Sequence, residues 1–60
     1  MAFVYSKKDI NRFVKLDLRN GHKYSGAILE VDEINLILTI IDIKEGRIRI
    51  FWPEIVAEGK

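Results

Sequence analysis

The chain has no cysteine, and in 60 residues it has one histidine, one proline and one tryptophan. Disulfides are therefore excluded, and His22 alone leaves a structural zinc short of ligands. No apolar run approaches the roughly 20 residues that span a bilayer. The start, Met1 to Tyr5, is too short for a signal peptide and lacks a basic region, so the cytoplasm is the expected compartment. Nor is there a dominant charge: ten Lys and Arg stand against nine Asp and Glu, a net of +1. Attachment to nucleic acid by bulk charge alone is thereby excluded. The charge is uneven along the chain. Lys7, Lys8, Arg12, Lys15, Arg19 and Lys23 outweigh Asp9 and Asp17 in the first 25 residues, and acids outweigh bases after them. That pattern fits either a basic and an acidic face or strand faces of mixed, solvated charge.

Catalytic groupings are also missing. His22 has no Cys to pair with, and Ser25, three residues on in a strand, falls on the opposite face. Gly21 and Gly26 are not followed by Gly-Lys-Ser/Thr, so they form no phosphate loop. The expectation is a protein without enzymatic activity, without a metal or cofactor, and without a small-molecule substrate.

What is abundant is apolar surface, at 48% of residues. A domain of about 60 residues buries only about 60% of its unfolded surface, and one core below about 70 residues rarely supplies more than about 3–5 kcal/mol. With disulfides and metal excluded, self-association remains as the source of further stability.

The hydrophobic period assigns the elements within a single domain, 1–60. Ser6-Lys7-Lys8-Asp9 has the form of a capping box with Asp in place of Glu. Tyr5 and Ile10 are placed to form a hydrophobic staple over a short helix at about 7–12. From Phe13 the period becomes two, and Val14, Leu16 and Leu18 alternate with Lys15, Asp17 and Arg19. This predicts a strand at about 14–19. Asn20-Gly21 predicts a type I′ hairpin turn into a second strand at about 22–31, bent at Gly26. Asp32-Glu33 turns the chain. Strands at about 34–43, 47–52 and 55–58 follow, with Lys44-Glu45-Gly46 between the first two and Pro53 interrupting the ladder before the last. The third is apolar on both faces, and its β-branched content argues for strand over helix. The fourth alternates Ile48, Ile50 and Trp52 with Arg47, Arg49 and Phe51. The fold class is mainly β: a short N-terminal helix, then five bent antiparallel strands closing into a small barrel.

The stretch Leu18 to Asp32 resembles the first signature of the Sm/LSm family, with spacing closest to the Hfq type. Leu18, Gly21, Tyr24, Gly26, Ile28, Val31 and Asp32 occupy the matching positions. The resemblance implies an Sm-like (SH3-like) barrel whose protomers form a homo-oligomeric ring of six or seven, strand four of one pairing with strand five of the next. It also implies single-stranded, often U-rich, RNA as the ligand around the pore. On that basis the RNA-binding candidates are Asp32 and Asn35 in the loop, with Lys23, Arg47 and Arg49 on phosphates. Interface candidates are Ile48, Ile50, Trp52, Ile55 and Val56, while Gly21 and Gly26 are structural. Each has a plainer reading: Asp32 as a turn carboxylate, Asn35 as an exposed strand-start residue, Trp52 as core, and the three bases as solvated charges. Two departures from the family pattern favour a second function. Ile34 stands where the family carries a base-stacking side chain, and Trp52-Pro53-Glu54 replaces the basic second signature. The alternative is an Sm-fold oligomerisation or protein-interaction module that has lost RNA binding, or a small DNA-binding barrel.

Overall fold

The computed structural model describes residues 3–59. Five strands form one antiparallel sheet: β1 (Phe13–Leu18), β2 (Lys23–Asp32), β3 (Ile37–Asp42), β4 (Gly46–Phe51) and β5 (Ile55–Gly59). Their spatial order is β4-β3-β2-β1-β5. The expected barrel does not close. Among the described residues β4 pairs only with β3, and β5 only with β1. The physical cause lies at Trp52–Glu54, a single 3-10 turn holding Pro53. It redirects the chain so that β4 and β5 end on opposite edges. The Trp52 N–H bonds the Leu36 carbonyl, and Glu54 O accepts from the Arg19 N–H, which ties this turn to two other loops.

The N-terminal helix expected at 7–12 is instead one 3-10 turn, Lys7–Asp9. The capping box forms, with Asp9 Oδ2 accepting from the Ser6 N–H at 2.9 Å. Propagation stops because the sheet takes over the next backbone groups. Asn11 adopts φ +76° and its N–H donates to Ile28 O at 2.7 Å, while Ile28 N–H donates to Arg12 O. A two-turn helix has too few internal bonds to compete with such pairing. Tyr5 meanwhile enters the core against Trp52, whereas Ile10 stays more than a third exposed.

The β1–β2 hairpin also differs from the expected type I′ turn. Only Gly21 has a positive φ, +90°; Asn20 does not. Gly21 N–H bonds Leu18 O and Leu18 N–H bonds His22 O. This is a three-residue loop, a type I turn followed by a left-handed glycine. Asn20 Oδ1 accepts the His22 N–H at 3.0 Å, so the asparagine contributes an Asx turn rather than a left-handed residue.

β3 starts at Ile37, three residues later than the expected 34–43, because residues 33–36 form a turn in which Leu36 takes φ +59°. The apolar face of the sheet meets Tyr5 and Trp52 in a core that includes Val14, Leu16, Ile28, Val31, Leu38, Ile40, Ile50 and Ile55. In β2 the alternation is interrupted by a bulge between Ile28 and Glu30. Leu29 and Glu30 consequently both face outward, and Val31 returns to the core. The bulge explains why apolar residues fall on both faces of this strand in the sequence.

Two carboxylates hold the ends of the sheet. Asp42 is buried and accepts three backbone N–H bonds, from Ser25 at 2.8 Å and from Lys44 and Glu45 at 2.9 Å each. It thereby closes the β3–β4 turn and pins it to β2. Glu58 lies opposite Leu16 in the β1–β5 ladder. It accepts from the Tyr5 hydroxyl at 2.6 Å and from Arg12 Nη1 at 2.8 Å, and so fastens β5 to the N-terminal segment. The bonds from Ser25 and Glu45 hold the Asp42 carboxyl below its ordinary value of 3.8. Burial pushes Glu58 up from 4.5, but Tyr5 and Arg12 outweigh burial and its net shift is downward. Both shifts have the same sign, so their stabilisation is present above the unfolded values and is lost as pH falls through the folded ones. The urea midpoint is expected to be insensitive to these groups from pH 7 to about 5 and to fall progressively below about pH 4. In E58Q the acid limb is expected to flatten; an unchanged limb would exclude this role for Glu58.

Candidate functional site

The outward face of β2, β3 and β4 carries an open groove of about 600 Å³. The strand registers build it row by row. Asp32 stands opposite Ile37 and Ile37 opposite Phe51; Glu30 stands opposite Thr39 and Thr39 opposite Arg49. Lys7 and Ile10, from the 3-10 turn and the segment after it, form the far wall, and Glu33 and Ile34 overhang from the β2–β3 loop. Three carboxylates and two cations line the groove, so it presents no uniformly basic surface.

The loop is organised by Asp32. Its Oδ1 accepts the N–H groups of Ile34 and Asn35 at 3.1 and 3.0 Å, and its Oδ2 accepts Asn35 Nδ2 at 2.9 Å. These bonds from Asn35 hold the Asp32 carboxyl below its ordinary range, and the Arg49 charge adds to the effect. Asp32 is therefore a turn carboxylate by geometry. The side chain it fixes, Asn35, is exposed, as is Ile34 with 91% of its surface in water.

The five candidate RNA-binding residues do not all gather. Asp32, Asn35 and Arg49 share the groove end of the sheet, and Arg47 lies two residues from Arg49 on the same outward face of β4. Lys23 sits at the other end of β2, in a separate hollow with Lys15, Asp17, Tyr24 and Gly59. The interface candidates divide too. Ile50, Trp52 and Ile55 are buried in the protomer's own core and Ile48 packs against it, whereas Val56 is half exposed. Core burial places the first three out of reach of another protomer's side chains; their strands still offer backbone edges. Gly21 and Gly26 occupy the turn and the close β2–β3 approach. Phe51 was legible in the sequence as the third member of the Arg47–Arg49 face, and the structure leaves it 46% exposed.

Among the described residues no three His, Asp or Glu side chains gather in a way that could hold a metal ion, and no helix is long and apolar enough to cross a membrane. Comparison of the chain with protein-family models, with curated proteins and with solved structures finds no match.

Proposed function

We propose that the chain is an Sm-like protein whose protomers join edge to edge into a homo-oligomeric ring that binds single-stranded RNA. The observation that carries this reading is the open sheet, whose edge strands β4 and β5 are each paired on one side only among the described residues. Edge strands present a row of backbone donors and acceptors that another chain completes. A contact between two different edges is head-to-tail, and it generates a closed ring when the rotation per protomer divides the circle. The exposed apolar side chains support association: Phe13, Ile34, Ile41, Ile43 and Val56 are all at least two-fifths exposed in the protomer. The Leu18–Asp32 resemblance, with Gly21 and Gly26 at positions where the backbone needs glycine, supports the family assignment.

Native mass spectrometry with and without nuclease reads ring number and co-purified nucleic acid together. The expected result is one oligomer, with a melting temperature that rises with protein concentration. A strict monomer at micromolar concentration would overturn the reading. Fluorescence anisotropy with oligo-U and oligo-A is expected to show salt-sensitive binding of modest affinity, as the net charge of +1 implies. A second reading, an assembly module without RNA binding, is favoured by one observation: the loop position suited to a stacking ring carries the aliphatic Ile34. An oligomer that binds neither RNA decides for it.

A further inference from the structure

The outward face of β4 presents Arg47, Arg49 and Phe51 at alternate positions, and all three are exposed. Strand geometry spaces such neighbours about 6.6 Å apart on one face. The adjacent aromatic, Trp52, is buried at 4% exposure, while Phe51 keeps nearly half its surface in water. Its cross-strand neighbour Ile37 lines the groove. Neither Arg47 nor Arg49 makes an ion pair among the described residues. A ring left in water beside two uncommitted guanidinium groups combines the two elements that hold single strands: a π-face for a base and cations for the backbone.

We infer that Phe51 is the base-stacking platform of this protein, with Arg49 and Arg47 taking the flanking phosphates. The inference rests on the RNA-binding reading above and gives that site its aromatic group, which the loop lacks at Ile34. It also sets the path of the strand. Glu30, Asp32 and Glu33 repel phosphates from the loop side of the groove, so the RNA backbone runs along β4 on its arginine side. This path is compatible with ring assembly. Edge pairing uses β4's in-plane backbone groups, whereas these side chains stand perpendicular to the sheet.

The test compares wild type with F51L, F51W and R47Q in anisotropy titrations against oligo-U and oligo-A. Leucine keeps apolar bulk and removes the ring, so F51L is expected to lose roughly 5- to 150-fold in affinity for both RNAs with an unchanged salt slope. F51W is expected to retain binding, and its added indole fluorescence to be quenched by RNA above the constant background of buried Trp52. R47Q is expected to bind more weakly and to reduce the salt slope by about one. F51L binding as tightly as wild type, or F51W emission unmoved at saturating RNA, would overturn the inference while leaving RNA binding intact. A wild type that binds no RNA overturns both. Oligomer mass and melting of F51L are measured alongside; should assembly change, the F51W quenching decides.

Discussion

Gly26→Ala is expected to abolish the fold. A Cβ at this position would lie 1.9 Å from the Ile41 carbonyl oxygen and 2.6 Å from its carbon. Both are backbone atoms, so no side-chain rotation relieves the overlap, and β3 would have to move away from β2. Gly26 pairs with Asp42 and, on its other side, with Val14, so the movement would occur at the centre of the sheet. It would break the bonds from the Ser25 N–H to Asp42 and from the Ile43 N–H to Ser25 O, which pin the β3–β4 turn to β2. A core supplying about 3–5 kcal/mol has no reserve to absorb that loss. The expected result is a G26A chain with no cooperative melting transition by circular dichroism. Gly21→Ala is the control. Gly21 has a positive φ but open space where a Cβ would go, so alanine there costs only backbone strain of about 1–2 kcal/mol. G21A should fold and melt earlier. A cooperative transition in G26A near that of wild type would refute the close-approach role.

Trp52→Ala is expected to cost about 3–5 kcal/mol, the range for removing a buried aromatic. Trp52 is 4% exposed and meets Tyr5 edge to face with ring centroids 5.6 Å apart. The cavity would open directly beneath Tyr5, whose hydroxyl holds Glu58 and through it β5. The loss thus reaches the edge strand as well as the core. Urea denaturation should find W52A largely unfolded without denaturant, while F51L, altered one residue away, keeps the wild-type midpoint. Equal destabilisation by the two would show that the division between a structural and a surface aromatic is wrong.

That division shows what the sequence could and could not convey. Alternation, turn residues and β-branched content together identified five antiparallel strands, and alternation put Val14 and Leu16 on the covered side of β1. It also separated Ile48, Ile50 and Trp52 from Arg47, Arg49 and Phe51, a split the structure retains. Alternation does not say what covers a face. Trp52 was readable as core, interface or stacking group, and Tyr5, 47 residues away in sequence, settles it by packing on its ring. The expected helix shrinks to one turn for a related reason. Ser6 to Asp9 carries a real capping signal, but Asn11 and Arg12 find better hydrogen-bond partners at Ile28 than a second helical turn offers.

The candidate site was partly legible. Asp32 and Asn35 stand out as a polar pair after an apolar strand, and the structure joins them within one turn. The groove itself depends on the Ile28–Glu30 bulge and on Lys7 and Ile10 arriving from the N-terminal segment, which no local pattern specifies.

The sequence by itself determined the absence of disulfide support, the strand periodicity and the glycine positions, because each depends on residue identity or on near neighbours. The tertiary structure alone decided that the sheet stays open and that apolar side chains such as Phe51, Ile43 and Val56 remain uncovered. Those outcomes depend on where the Trp52–Glu54 turn sends β5 and on contacts between residues far apart in the chain. The 48% apolar content that first suggested a partner is thereby located, on the outward faces and edges that one protomer cannot cover.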